Sequence, residues 1–532
     1  MSTNDHKTIL AIDLGTSSVK SALISVTGEV AGWESEPIPL HVLPEGGAEQ
    51  DPDDWWAAIL KTSGRLLARG LVRSEEIVAV CASTQGEGTI PVDREGNPLS
   101  RCITWLDARG AKYVGEVAGG VLEVQGYALA KLLRWLRING GAPARSGKDP
   151  FGHLLFIVRE RPDVARAAHK FLNVLDWINY RLTGEMVATP DSVLGLWATD
   201  TRNPWSIRFH EGLVRLLPIA PQQLPPLRRN CDVIGPLRRE VADQLGLRRE
   251  VQVVAGAIDF TAAAVGSGAV ADYQAHLSIG TSSLLGAHLP TKKTDLTHYL
   301  ASIPCAIPGR YLVVATQDTA GGSLVFLRDK LFFADDGLLP ASDPAGYFEA
   351  LNELAARVPP GSHGLIFTPW LFGERCPVDD PYIRGAIHNL SLENTRADLV
   401  RAALEGVALN TRWMLGPAEK FIGGRKMDPI NMIGGGARSD LWCQMHADVL
   451  DRTIRQVVEP QMGNARGAAF IAAVGLGYIR FEDIPSLVRF RNVYQPDPEN
   501  RRIYDELFRE FVNLYRSNRG IYERLNRPIG KK

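Results

Sequence analysis

The chain has 532 residues, with 59 Lys and Arg against 60 Asp and Glu, 45% hydrophobic residues and 22% charged ones. At about 150 residues per domain that length makes three or four units or two large ones, and the composition excludes disorder and fibrous repeats. A net charge of −1 supplies no global field for nucleic acid or an anionic membrane, so neither is expected as a partner.

The N-terminal MSTNDHKT is polar and leads directly into a short apolar stretch, without the long apolar core of a signal peptide. Residues 9–12 then read as a strand, Gly15-Thr16-Ser17-Ser18 as a tight turn, and residues 19–26 as a second strand, together a β-hairpin. Residues 77–82 read as a buried strand, residues 218–229 as a Pro- and Arg-rich surface connection, and residues 251–255 as another strand. The stretch 251–270 is the best membrane candidate. Gln252 and Asp259 interrupt it, whereas a spanning helix needs about 20 clean apolar residues, so it is rejected. Gly280-Thr281-Ser282-Ser283 repeats the first turn 265 residues later, again between apolar strands. This predicts a duplicated architecture, with chance recurrence of four small residues as the rival reading. Residues 335–344 read as a second surface connection, residues 399–415 and 441–450 as helices, and the charged tail with Tyr504, Phe508, Phe511 and Tyr515 as a terminal helix packing on the body. Alternating strands and helices of this kind predict an α/β protein.

A glycine followed by small hydroxyl residues lets the backbone approach a ligand and adds donors beside exposed N–H groups, which suits phosphate oxygens. Two such turns, one per half, suggest a nucleotide in a cleft between two domains. Other chemistries lack their motifs. There is no G-x-x-x-x-G-K-[ST], no H-E-x-x-H and no G-x-S-x-G. The G-x-G-x-x-A string at 266–271 follows an Ala-rich helix and opens none after a strand, so a dinucleotide site is not expected. The eleven histidines form no ligand-spaced cluster. The six cysteines have no C-x-x-C pair, which fits a reducing cytoplasm better than a disulfide framework or structural zinc.

An ordered set of motifs resembles the FGGY carbohydrate kinases of the actin-like ATPase superfamily. The segment from Ile12 through Asp13, Gly15, Thr16 and Ser17 to Lys20 resembles their first phosphate motif. Trp105-Leu106-Asp107-Ala108-Arg109 resembles a sugar-site W-x-D-x-R, and WINYRLTG from Trp177 to Gly184 resembles Y-x-x-x-x-L-T-G. Pro369 to Pro377, with Gly373-Glu374-Arg375, resembles P-Y-L-x-G-E-R-x-P. Gly434-Gly435-Gly436-Ala437-Arg438-Ser439, with Trp442, Gln444, Met445, Ala447 and Asp448, resembles the C-terminal signature, in a form closer to xylulokinases and gluconate kinases than to glycerol kinases.

The resemblance implies two actin-like, ribonuclease H-like α/β domains, here expected at 1–268 for the sugar side and 269–495 for the nucleotide side, with a helical extension at 496–532. It implies ATP and Mg²⁺ as cofactors, a small sugar or polyol as acceptor, a ketopentose such as xylulose first among them, and a homo-oligomer, either a homodimer or a tetramer. Phosphoryl transfer needs phosphate cradles, a metal and a carboxylate to orient the attacking hydroxyl. By resemblance Asp259 is the catalytic base, although as a residue it equally reads as a helix N-cap ahead of Thr261. Asp13 is the expected metal ligand, against a plain turn-capping role. Gln85, Glu87, Trp105, Asp107, Asp259 and Phe260 are the expected substrate contacts. Gly15, Thr16, Ser17, Lys20, Gly280, Thr281, Gly321, Gly322, Gly434, Gly435, Gly436 and Ser439 are the expected nucleotide contacts, with a simple turn as the alternative for Gly321-Gly322. The sequence departs from its relatives at Gly86-Glu87, where xylulokinases carry Met-His and glycerol kinases Arg-Glu, and at Phe260, an aromatic that either stacks on substrate or fills core. Three further readings stay open: a glycerol- or erythritol-type polyol kinase, a non-metabolic actin-like ATPase, and a sugar-binding regulator without turnover.

Overall fold

The computed structural model describes residues 6–124, 126–333 and 346–527; the connection expected at 335–344 lies outside them. Two β-sheets dominate. The first is built from β1 (Thr8–Leu14), β2 (Ser18–Ser25), β3 (Val30–Pro37), β4 (Ile77–Thr84), β5 (Val233–Pro236) and β6 (Gln252–Ile258), in the order β5-β6-β4-β1-β2-β3. The second contains β7 (Ala275–Ile279), β8 (Ser283–Leu289), β9 (Thr294–Asp295), β10 (Leu300–Pro304), β11 (Tyr311–Gln317), β12 (Ile430–Ile433), β13 (Ile454–Val457) and β14 (Phe490–Tyr494). Its order is β9-β10-β11-β8-β7-β12-β13-β14.

The repeat in the sequence becomes a repeat in topology. In the first sheet β1 pairs antiparallel with β2 and parallel with β4, and β4 pairs parallel with β6. In the second, β7 pairs antiparallel with β8 and parallel with β12, and β12 pairs parallel with β13. Strands β1 and β4 are buried along almost their whole length, which explains their unbroken apolar runs. The two Gly-Thr-Ser turns differ in length. Leu14 pairs with Val19 across four residues, whereas Ile279 pairs with Ser283 across three.

Among the helices, α1 (Pro52–Ala68) covers the first sheet, and α2 (Val174–Thr183) ends at Gly184, whose φ of 90° supplies the left-handed cap. Helix α3 (Asp259–Gly266) follows β6 directly. The helix expected at 399–415 is the longer α4 (Arg396–Phe421), which continues through Pro417. Helix α5 (Asp440–Leu450) starts where Ser439 Oγ accepts the N–H of Trp442 at 3.0 Å. Helix α6 (Gly463–Gly475) comes late in the chain yet packs on the first sheet. Its Ala465, Ala468, Ala469, Phe470 and Ala472 share one core with Ile9, Ala11, Cys81 and Val254. Helix α7 (Arg501–Asn526) buries Tyr504, Leu507, Phe511 and Tyr515 against a core that includes Trp370.

Helices α3 and α6 touch backbone to backbone. A Cβ on Gly266 would lie 1.8 Å from the carbonyl oxygen of Gly463, and one on Gly467 would lie 1.9 Å from that of Ala262. Only glycine permits this approach, and the crossing locks α3 and α6 together beside the first sheet.

Candidate active site

The parallel strands of each sheet point their carboxyl ends one way, and ligands of open α/β sheets bind beyond such ends. Asp13 lies near the end of β1, Glu87 three residues beyond β4, Asp259 directly after β6, and Gly280 directly after β7. Two cavities open there. One, of about 250 Å³, is lined by Glu87, Trp105, Asp259, Phe260, Arg375 and Asn464 together with the turn residues Gly280 and Ser282. The other, of about 800 Å³, is lined by Gly280, Thr281, Gly321, Asn352, Gly435, Gly436, Ser439 and Trp442, with apolar walls from Leu324, Val325 and Leu404. Gly280 belongs to both, so a single backbone turn is the partition between a small polar chamber and a large, mixed one.

Asp259 is the first residue of α3, with Ile258 in the cap position, so the cap expected at Asp259 falls one residue earlier. Asp259 Oδ1 accepts the N–H of Phe260 at 2.7 Å. Burial pushes its carboxyl up to about 7; that hydrogen bond opposes the rise, and the nearby Asp13 and Asp191 carboxylates add to it. The backbone beneath is braced by Asp191, which accepts from Ile258 N at 3.0 Å, Thr189 Oγ1 at 2.6 Å and Asn230 Nδ2 at 2.6 Å. Glu87 sits in the left-handed region at φ 57°. Its carboxyl is also raised to about 7, chiefly by burial, with Arg375 opposing and Asp149 and Asp259 adding. Phe260 lines the small cavity and also packs on the core behind it.

Asp13 is buried, accepting from Lys20 Nζ at 3.2 Å and from Asn464 Nδ2 at 3.3 Å. Lys20 is therefore paired across the hairpin with Asp13. Thr16 stands behind the small cavity: it accepts from Trp105 Nε1 at 3.0 Å and donates to Gln85 Oε1 at 3.1 Å. Gly15 and Ser17 flank it on the same turn and line neither cavity.

Two expected substrate contacts are engaged elsewhere. Gln85 is 2% exposed and donates to Gln50 Oε1 at 2.7 Å. Asp107 is 1% exposed and accepts from Ala48 N and from the backbone and guanidinium of Arg109. Both brace the wall and neither lines the cavity. On the larger chamber, Gly321, Gly435, Gly436 and Ser439 line the space, while Gly322 and Gly434 support it. Gly322 donates its N–H to Thr281 O at 3.0 Å, and a Cβ on Gly434 would lie 2.4 Å from Ile279 O. Gly435 faces open space. Arg375, Asn464 and Asp191 were not among the expected site residues. Arg375 lies inside the Gly373-Glu374-Arg375 motif; Asn464 and Asp191 carry no local signal.

Sequence-family models decide the kinship. The N-terminal domain of the FGGY family of carbohydrate kinases matches residues 8–266 and its C-terminal domain matches residues 275–476. The chain belongs to the FGGY family of carbohydrate kinases. Like other FGGY kinases it is an ATP-dependent phosphotransferase acting on a sugar or polyol hydroxyl. It is 28% identical to a xylulose kinase of Staphylococcus epidermidis, over 96% of this chain and 97% of that one. It is also 28% identical to a gluconokinase of Bacillus subtilis, over 96% and 95%. The ligand-bound xylulose kinase of Lactobacillus acidophilus superimposes with a TM-score of 0.82 at 25% identity, covering 98% of this chain and 100% of that one. Equal identity to kinases of a ketose and of a sugar acid means that overall similarity does not select the acceptor. Among the described residues no helix is long and apolar enough to cross a membrane.

Proposed function

We propose that this FGGY kinase phosphorylates a small neutral polyhydroxy substrate, a ketopentose such as xylulose, in the 250 Å³ cavity. The observation that carries this reading is the Gly280 partition. A triphosphate in the larger chamber would present its terminal phosphoryl group at the turn, with Asp259 on the other side.

Asp259 accepts the proton of the attacking hydroxyl while that oxygen bonds to phosphorus and the β–γ bridging oxygen leaves with ADP. Its raised affinity for a proton, about 7, suits a base working near neutrality. Glu87 accepts hydrogen bonds from acceptor hydroxyls, and Trp105 and Phe260 cover apolar faces. Two carboxylates against the one guanidinium of Arg375 leave so small a chamber without the net positive charge that would select a sugar acid. Thr281, Gly321, Gly435, Gly436 and Ser439 hold the nucleotide. Mg²⁺ takes one or two carboxylates plus phosphate oxygens, which fits the single carboxylate of Asp13; when bound it neutralises phosphate charge. The six unpaired cysteines support a reducing, cytoplasmic setting.

A coupled ADP-release screen across xylulose, other ketopentoses, tetritols, glycerol and gluconate tests the reading. Xylulose is expected to give the highest kcat/KM, and Asp259→Asn to lower kcat by about 10²–10⁴-fold. Strong turnover of gluconate alone, or full activity in Asp259→Asn, refutes it.

A further inference from the structure

Arg375 is the one cation among the described residues that line the 250 Å³ cavity, which it shares with Glu87, Asp259, Gly280 and Ser282. Lys20, on the β1–β2 hairpin, is paired with Asp13 at 3.2 Å. Arg375 is much less committed. Its side chain is 42% exposed, and its one ion pair among the described residues, to Asp318 Oδ1, spans 3.5 Å, well beyond the 2.7–2.9 Å of a strong charge-assisted hydrogen bond. A guanidinium has five donors, and among the described residues those of Arg375 make no hydrogen bond, so most of that capacity is unspent beside the chamber it lines.

The backbone that carries it is fixed. Glu374, buried beside it, accepts from Arg375 N at 2.9 Å and Asp318 N at 3.1 Å through Oε1, and from Asn410 Nδ2 at 2.8 Å through Oε2. Asn410 in turn accepts from Trp370 Nε1 at 3.0 Å. One buried carboxylate thus clamps the backbone of both the arginine and its ion-pair partner Asp318 at the chamber wall. A donor set held in place before reaction stabilises developing charge without reorganising at the moment of transfer.

We propose that Arg375 is a catalytic cation, its guanidinium contacting the phosphoryl oxygens as the group passes the Gly280 partition towards the acceptor. The inference rests on the kinase reading for where the phosphate lies. During the step the acceptor oxygen–phosphorus bond forms, the bond from phosphorus to the bridging oxygen breaks, and the hydroxyl proton passes to Asp259. Arg375 keeps its protons throughout and contributes charge and hydrogen bonds alone.

The test pairs Arg375→Ala and Arg375→Lys in the full-length enzyme, after checking that both melt within a few degrees of the parent. Losing one preorganised donor costs about 10²–10³ in kcat, so Arg375→Ala is expected to lose that much while the acceptor KM stays within about threefold. Arg375→Lys, which keeps the charge and loses the planar fork, is expected to fall between. Binding of ADP with aluminium fluoride, a mimic of the transferring phosphoryl group, should weaken at least about tenfold in Arg375→Ala, with ADP alone unaffected. A rise in KM at unchanged kcat would make Arg375 an acceptor-binding residue and overturn the proposal. So would equal loss of both nucleotide ligands, or loss of neither. If the parent turns over no sugar, the proposed function fails, and the fluoride comparison still decides Arg375.

Discussion

Replacing Gly467 with alanine tests whether the crossing of α3 and α6 governs both stability and the site. The new Cβ would lie 1.9 Å from the carbonyl oxygen of Ala262, whereas real Cβ atoms essentially never come closer than 3.0 Å. The helices must therefore separate by at least 1.1 Å, the difference between those distances. Alanine improves intrinsic helix propensity by about 0.8–1 kcal/mol, and overpacking in a closed core typically costs about 1–3 kcal/mol. Because the Cβ is fixed directly by its own backbone and the oxygen belongs to the facing one, neither can rotate away, and the upper part of that range applies. One turn before Gly467 stands Asn464, 3.3 Å from Asp13, so the shift also disturbs the site. Gly64 on α1 supplies the control: its Cβ would meet nothing within 4 Å, and alanine there should stabilise by about 0.5–1 kcal/mol. Thermal unfolding, read together with sugar-dependent ADP release, should show Gly467→Ala melting lower with reduced kcat and Gly64→Ala melting higher with kcat unchanged. Unaltered melting and activity in Gly467→Ala would refute the reasoning.

Other perturbations follow from the site. Because Asp259 and Glu87 both hold protons up to about 7, and the base works ionised, kcat/KM should fall as pH drops through about 7, with an apparent value belonging to the pair. Glu87→Gln removes a like charge and should move that limb to lower pH; a flat profile between about pH 5.5 and 8 would contradict the assignment. Asp191→Asn turns an acceptor of three hydrogen bonds into a mismatched donor, so it should cost about 1–3 kcal/mol and lower kcat. A melting curve matching the parent's would count against it. Ser439→Ala loses the cap on α5 and the hydrogen bond to Asn352 Oδ1. It should cost about 1 kcal/mol and raise the ATP KM while leaving the acceptor KM unchanged, as measured in two-substrate kinetics.

What the sequence disclosed follows the reach of each interaction. The repeated Gly-Thr-Ser turn and its flanking strands are local, so the duplicated sheet topology was readable from residues 9–26 and 276–289. Glu87, Trp105, Asp259 and Phe260 converge because each follows a strand or turn whose end faces the same cleft. Gln85 and Asp107 illustrate the limit: a polar residue beside a site can face the cavity or prop its wall, and sequence pattern is the same for both. The partners of Gln85 and Asp107, Gln50 and Ala48, lie on a separate short strand of the first half. Asn464 was beyond reach, since it meets Asp13 across 451 positions of chain. The one-residue difference between the two turns likewise needed the strand register.

The placement of α6 bears on how the protein is made. A ribosome finishes β1, β4 and β6 long before it reaches residue 463, and Ile9, Ala11, Cys81 and Val254 share their core with Ala465, Ala468 and Phe470. Domains usually fold as they emerge, but this first sheet waits, with apolar surface open to chaperones or to aggregation, until residues 463–475 are made. Segments far apart in synthesis are thus joined in one cooperative core. A truncation at residue 268 would leave the earlier half without its lid.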